Sequence, residues 1–125
     1  DQQHQKDLKT VGDFRAELQS YMATKSRVLD AFEMNEQALC FAKNPSNIER
    51  YVQCREDLAV KFDKNFERLK FRNNLVMLQS WDALQECLND ENKRRDSMAQ
   101  AKKLVDESFD KFYEESKQQS CFLQI

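Results

Sequence analysis

A single glycine, Gly12, and a single proline, Pro45, constrain this 125-residue chain more than any other feature. These two residue types supply most of the backbone geometry of tight turns, so the strands of a multi-stranded sheet would be hard to connect. Glu, Lys, Gln, Leu and Ala, which favour helices, are abundant instead. The sequence therefore predicts an all-α fold built from a few long helices.

Charge and length narrow the class of protein further. Lys and Arg total 20 and Asp and Glu total 22, so the net charge is −2 and the basic footprint of a nucleic-acid-binding domain is absent. No apolar run approaches ~18 residues, so we expect no insertion into a membrane. The length predicts a single helical domain over residues 1–125.

Apolar spacing of three and four residues predicts a first helix. Its stripe runs from Leu8 to Phe32, continues weakly to Phe41 and ends at Asn44-Pro45, since proline disfavours helical backbone before it. Asp13 is an alternative N-cap, and residues 1–7 are predicted to form a polar N-terminal tail.

The remaining chain divides into two or three further helices. Ser46 and Glu49 have the spacing of a capping box for a second helix with apolar positions from Ile48 to Leu69. Arg72-Asn73-Asn74 is a predicted corner, and 89–92 is a predicted turn in which Asp90 caps the last helix. A third helix between them carries an apolar stripe at Leu75, Leu78, Trp81, Leu84 and Leu88. The last helix carries Met98 to Phe112, and an apolar C-terminal tail, 121–125, follows it. Short connections predict an antiparallel bundle of three to four long helices.

Four cysteines, an even number, fit two disulfides and an oxidising compartment. Cys40 and Cys54 flank Pro45 closely enough for a bond across a helical hairpin, which by elimination pairs Cys87 with Cys121. The pairing Cys40–Cys87 with Cys54–Cys121 stays open, as does an intracellular protein with reduced thiols.

Catalytic signatures are missing from the sequence. His4 is the only histidine, no C-x-x-C motif occurs, and one glycine cannot form a glycine-rich phosphate loop. We therefore expect no enzyme, no cofactor and no metal site. The helically spaced aromatic residues are expected in the core; they are Phe62, Phe66, Trp81, Phe109 and Phe112.

Three stretches spanning most of the chain carry a family resemblance: DLKTVGDFRAELQSYMATKSRVLDAF, NPSNIERYVQC and QQSCFLQI. With the four-cysteine layout, they resemble the anopheline mosquito salivary anticomplement family, the albicin and anophensin group. The resemblance implies secretion in saliva and binding to host plasma proteins. It implies inhibition of the alternative complement pathway through its convertase, or interference with contact activation through factor XII and kininogen, and so a role in immune evasion and haemostasis. The N-terminus DQQHQKDL lacks an apolar signal region, which fits a mature chain whose signal peptide was removed, or an artificial start.

Binding through a helical face would depend on a few anchors, most often Tyr, Trp or Arg. The partner-binding candidates are Tyr51, Tyr113, Lys93, Arg94 and Arg95. The basic run of three is also explained as a solvated helix start. A small-ligand carrier resembling insect odorant-binding proteins is the competing function, although their close C-x-x-x-C pair is absent here.

Overall fold

The computed structural model describes residues 1–117, and this part of the chain is all-helical, with no strand. Its helices are α1 (Gln2–Ser26), α2 (Leu29–Lys43), α3 (Ile48–Gln85) and α4 (Glu91–Ser116). The predicted all-α fold is confirmed, and these four helices agree with the predicted three to four. The predicted tail at 121–125 lies outside the described residues.

Helix α3 is the spine of the molecule, and its 38 residues span about 57 Å. Helices α1 and α2 follow one another along it in the antiparallel direction. The pairs that show this are the Gln3–Asn89 side-chain hydrogen bond, the Phe32–Phe62 ring contact at 5.9 Å and the Cys40–Cys54 disulfide. Residues later in α1 and α2 contact residues earlier in α3, which is the pattern of antiparallel packing.

Helix α4 returns along α3 and stops short of the end of the spine. The guanidinium of Arg72 donates to the carbonyl of Ser108 at 3.2 Å, and the buried Asn65 amide donates to the Ser116 hydroxyl at 3.0 Å. Lys61 in the fourth turn of α3 donates to the carbonyl of Lys117 at 3.5 Å, so only the first three turns of α3 pair with α2 without α4 beside them. One end of the molecule is therefore a helical hairpin, and the rest is a three-rod bundle.

The predicted first helix is interrupted at Arg27 and Val28, where the sequence predicted continuity. The hydroxyls of Thr24 and Ser26 donate to the carbonyls of Ser20 and Met22, four residues earlier. Such bonds compete with the helical ladder and bend helices. A local polar effect thus offsets α2 from α1 without glycine or proline.

The predicted corner at 72–74 is wrong, because α3 continues through it. Asparagine tolerates turns but does not require them. Here Leu69 and Val76, seven residues apart, are both buried on the same face of the helix. Packing on both sides of the asparagines keeps the segment helical.

Asp or Asn caps the starts of α1, α3 and α4, whereas Val28 before α2 gives no side-chain cap, and one predicted cap is confirmed. The carboxylate of Asp90 accepts the backbone amide of Lys93 at 3.1 Å, as expected. The capping box at Ser46 is wrong by one position, since Asn47 accepts the amide of Arg50. Asp1 accepts the amide of Gln3. Helix α1 therefore starts at Gln2, which rules out Asp13 as its cap and makes residues 2–7 helical instead of a polar tail.

The core lies where α3, α4 and the α1–α2 rod meet. Phe62 packs edge-to-face on Phe112 at 5.0 Å, and Phe109 is 1% exposed. Phe66 is partly buried against this cluster. The expectation for Trp81 is wrong, since it is 36% exposed. The reason is that α3 is continuous. The residues buried before the predicted corner therefore determine which face of residues 75–85 is buried, and Trp81 is not on that face.

One disulfide is formed in the described residues, Cys40–Cys54, with Cα atoms 5.6 Å apart. It excludes the alternative pairing of Cys40 with Cys87. Cys87 is a buried free thiol, and Cys121, its other predicted partner, lies outside the described residues.

Candidate protein-binding surfaces

The five predicted binding residues lie in three places and form no common surface. Tyr51 is in the first turn of α3, while Lys93, Arg94 and Arg95 are in the first turns of α4, next to the other end of α3. Thirty-four helical residues from Tyr51 to the end of α3 separate these sites by roughly 50 Å. One compact partner site cannot include all of them.

Tyr113 is part of the core cluster. Its ring lies edge-to-face against Phe32 at 4.9 Å and contacts Phe112 at 5.8 Å. Desolvation by burial raises the pKa of the Tyr113 hydroxyl above its ordinary value of 10.0. The side chain stabilises the junction of α2, α3 and α4, and its ring offers little surface to a partner.

The basic run at the start of α4 is largely committed to local structure. The guanidinium of Arg94 donates to the carbonyl of Leu88, and that of Arg95 pairs with Glu91 at 3.1 Å. Arg94 thereby satisfies a carbonyl in the α3–α4 turn, which explains a cation at a helix N-terminus, where the helix dipole disfavours it. Lys93 is exposed.

A different surface surrounds Tyr51 at the α2–α3 end of the molecule. The Phe41 ring contacts the Tyr51 ring edge-to-face at 6.0 Å. The Arg55 guanidinium lies 5.8 Å from the centre of the Tyr51 ring and donates to its hydroxyl at 3.4 Å. Val52 lines the groove between the two helices with Tyr51 and Arg55. Phe41, Tyr51, Val52 and Arg55 form the hairpin surface.

The hairpin surface is apolar, charged at its edge and held rigid. Phe41 is 61% exposed and Val52 is also exposed. Glu33 and Glu56 border the groove. The fully buried Cys40 sulfur joins the two helices behind the surface. A covalent bond therefore fixes the aromatic pair where no third helix supports the hairpin.

A second exposed apolar surface follows α3 on the side opposite the core. Phe71, Leu75, Leu78 and Trp81 form this α3 seam, and Phe71 and Leu78 are 65% and 64% exposed. Their spacing of three and four residues places them on one face of the helix. The sequence contains this signal as the apolar stripe at Leu75, Leu78 and Trp81, of which Trp81 is the residue predicted in the core.

A largely apolar groove lies beside the α3 seam. It holds about 240 Å³, opens to solvent, and lies between α1 and α3. Its lining includes Phe14, Leu18 and Met77 together with two residues of the seam. Its volume is below the ~300–1,000 Å³ of typical small-molecule pockets. It gives little support to a carrier of sizeable apolar ligands.

Electrostatic contacts fasten α1 to α4. The Asp106 carboxylate accepts the Tyr21 hydroxyl and pairs with the Lys25 ammonium at 2.6 Å. The hydrogen bond from Lys25, and then that from Tyr21, lowers the pKa of Asp106. The same carboxylate raises the pKa of Lys25 and that of Tyr21. The lowered pKa of Asp106 and the raised pKa of Lys25 both reflect an interaction that favours the charged pair, and its position between two helices indicates a structural role.

The described residues contain neither a metal-binding cluster nor a membrane-spanning helix. Among residues 1–117, no three His, Cys, Asp or Glu side chains gather as a metal-binding group. None of the helices there is long and apolar enough to cross a bilayer.

Comparisons with known proteins returned no match: no family model, no curated protein and no solved structure is detectably similar to this chain.

Proposed function

We propose that this protein is a secreted inhibitor of host defence that binds a plasma protein through its hairpin surface. The observation that carries the proposal is the contact between the exposed Phe41 ring and the half-buried Tyr51 ring, with the Arg55 guanidinium against Tyr51, on two helices joined by the Cys40–Cys54 disulfide. Aromatic and arginine side chains are the residues most often found as anchors of protein–protein interfaces.

Rigidity is the physical reason to favour inhibition by binding. The disulfide and the ring contact hold these side chains before a partner arrives, so binding loses less conformational entropy. Inhibition by occlusion needs a well-fitting surface and no catalytic group. The disulfide also fits an oxidising compartment, as secretion requires.

The proposed target is the alternative-pathway convertase of complement, and this part rests on the salivary anticomplement resemblance of NPSNIERYVQC and the flanking stretches. The family's second activity, against contact activation through factor XII and kininogen, is the alternative within the same class. Both are host plasma proteins, so one binding experiment addresses them together.

Val52→Glu tests the hairpin surface with a matched control. The substitution puts a buried charge into the interface, and we expect at least a tenfold loss of capture of the plasma target. Val60→Glu introduces the same change two turns along α3, at a side chain 71% exposed outside the hairpin surface, and should capture normally. The measurement is quantitative mass spectrometry of plasma proteins retained on immobilised wild type and both variants.

Two results would contradict the proposal. Equal capture by the wild type and by Val52→Glu would remove the hairpin surface as the binding site. Capture of neither convertase components nor contact factors by the wild type would remove the assigned targets. Circular dichroism of both variants shows that each remains folded.

A further inference from the structure

The α3 seam leaves four apolar side chains on the outside of the molecule, far from the hairpin surface. Phe71 lies five turns from Val52 along α3, and it faces away from the core. Exposed side chains of this size leave on the order of 400 Å² of apolar surface in one patch, which is large for a monomer. The seam therefore has room for a partner of its own.

Charged residues beside the seam stand at equal distances before and after Leu75, with positive charges before it and negative charges after it. Arg68 lies seven residues before it and Asp82 seven after, while Lys64 lies eleven before and Glu86 eleven after. All four are exposed, and within residues 1–117 none of them takes part in a salt bridge. Because offsets of seven and eleven residues return to the same face of a helix, these four side chains lie on the same face as Leu75.

We propose that the seam binds a second copy of this chain, α3 against α3, in an antiparallel dimer with its twofold axis at Leu75. The twofold brings Arg68 opposite Asp82 of the second copy and Lys64 opposite Glu86, and each pair occurs twice. Phe71 then packs near Leu78 of the second copy. Glu67, eight residues before Leu75, falls opposite the uncharged Ala83, so no like charges lie directly opposite.

The size of the interface predicts a weak, concentration-dependent dimer. Two seams together bury roughly 800 Å² of apolar surface, which is below the ~1,200 Å² of stable complexes. The net charge of −2 gives little overall repulsion between copies. We therefore expect a dissociation constant in the high micromolar range, with monomer prevailing at low micromolar concentration.

Sedimentation equilibrium of the full 125-residue chain tests this from low micromolar to millimolar concentration. The wild type should shift from 14.9 kDa towards twice that mass. Leu78→Glu should stay monomeric, because it places two charges in the apolar contact. Met34→Glu is the control, since it changes a similarly exposed side chain on α2 and should leave the dimer intact.

Charge reversals test the orientation. Arg68→Glu and Asp82→Arg, each alone, replace two attractions with two repulsions and should weaken the dimer by about tenfold or more. Mixing the two variants should restore association, since the reversed charges at positions 68 and 82 face each other and the unchanged pair remains. The double variant should also dimerise.

Three results would overturn the proposal. A mass of 14.9 kDa at every concentration would leave the seam to residues 118–125 or to a different protein. A dimer that Leu78→Glu leaves intact would use another surface. Failure of the mixed variants to associate would exclude the antiparallel arrangement. None of these results bears on binding at the hairpin surface.

Discussion

At the scale of single residues, Asp106 is the charge that contributes most visibly to the assembly of the helices. It accepts the Tyr21 hydroxyl and pairs with Lys25. Since its side chain is 43% exposed, solvent screens the pair, and its contribution to the free energy of unfolding is about 1 kcal/mol.

Asp106→Asn should lower the melting temperature by about 3 °C at pH 7. The difference from wild type should shrink in acid. Because the folded protein holds the pKa of Asp106 below its ordinary value of 3.8, the contribution is present above that pH and is lost as the pH falls through the lower, folded pKa. Thermal melts at pH 7 and near pH 3 measure this.

Asp96→Asn is the control for this prediction, because Asp96 is an exposed aspartate on the same helix. It should melt like wild type at both pH values. An undiminished Asp106→Asn difference in acid would show that the pair does not stabilise through charge.

At the scale of elements, α3 decides which apolar residues are core and which are surface. Leu78 and Leu84 were predicted on one stripe of a short third helix. In the continuous α3, Leu84 is 0% exposed and Leu78 is 64% exposed. The sequence could not reveal this, because the choice depends on whether Asn73 and Asn74 turn the chain, and tertiary packing makes that choice.

Truncating these two leucines tests the rotation of α3. Leu84→Ala should cost about 2–5 kcal/mol in the free energy of unfolding, because it empties core volume. Leu78→Ala should change it by less than about 0.5 kcal/mol at low micromolar concentration, where the seam is unpaired. Urea unfolding measures both, and equal costs would contradict a continuous α3.

Helix boundaries were predictable where one residue determines them. Pro45 ends α2 and Asp90 caps α4, as the sequence indicated. The interruption after Ser26 was not predictable, because its cause is back-bonding by hydroxyls that elsewhere stay on a helix surface. The Cys40–Cys54 bond was predicted since both residues flank a recognisable break.

At the scale of the whole molecule, the length of α3 keeps the hairpin surface and the α3 seam apart, so one chain can bind two partners. Composition predicted an all-α bundle, but it predicted neither the length of α3 nor the end of the molecule where α2 and α3 pair without α4. Of the predicted anchors, Tyr51 lies on an exposed surface, whereas Tyr113 packs in the core and Arg94 satisfies a turn carbonyl. Side-chain chemistry alone could not separate these roles, because they depend on where α4 stops along α3.

Haemolysis by the alternative pathway in human serum tests the central claim most directly. We predict that the wild type inhibits lysis at micromolar concentration, that Val60→Glu inhibits equally, and that Val52→Glu needs at least a tenfold higher concentration. Full lysis with the wild type, or inhibition by Val52→Glu at the same concentration as the wild type, would contradict an inhibitor that acts through its hairpin surface.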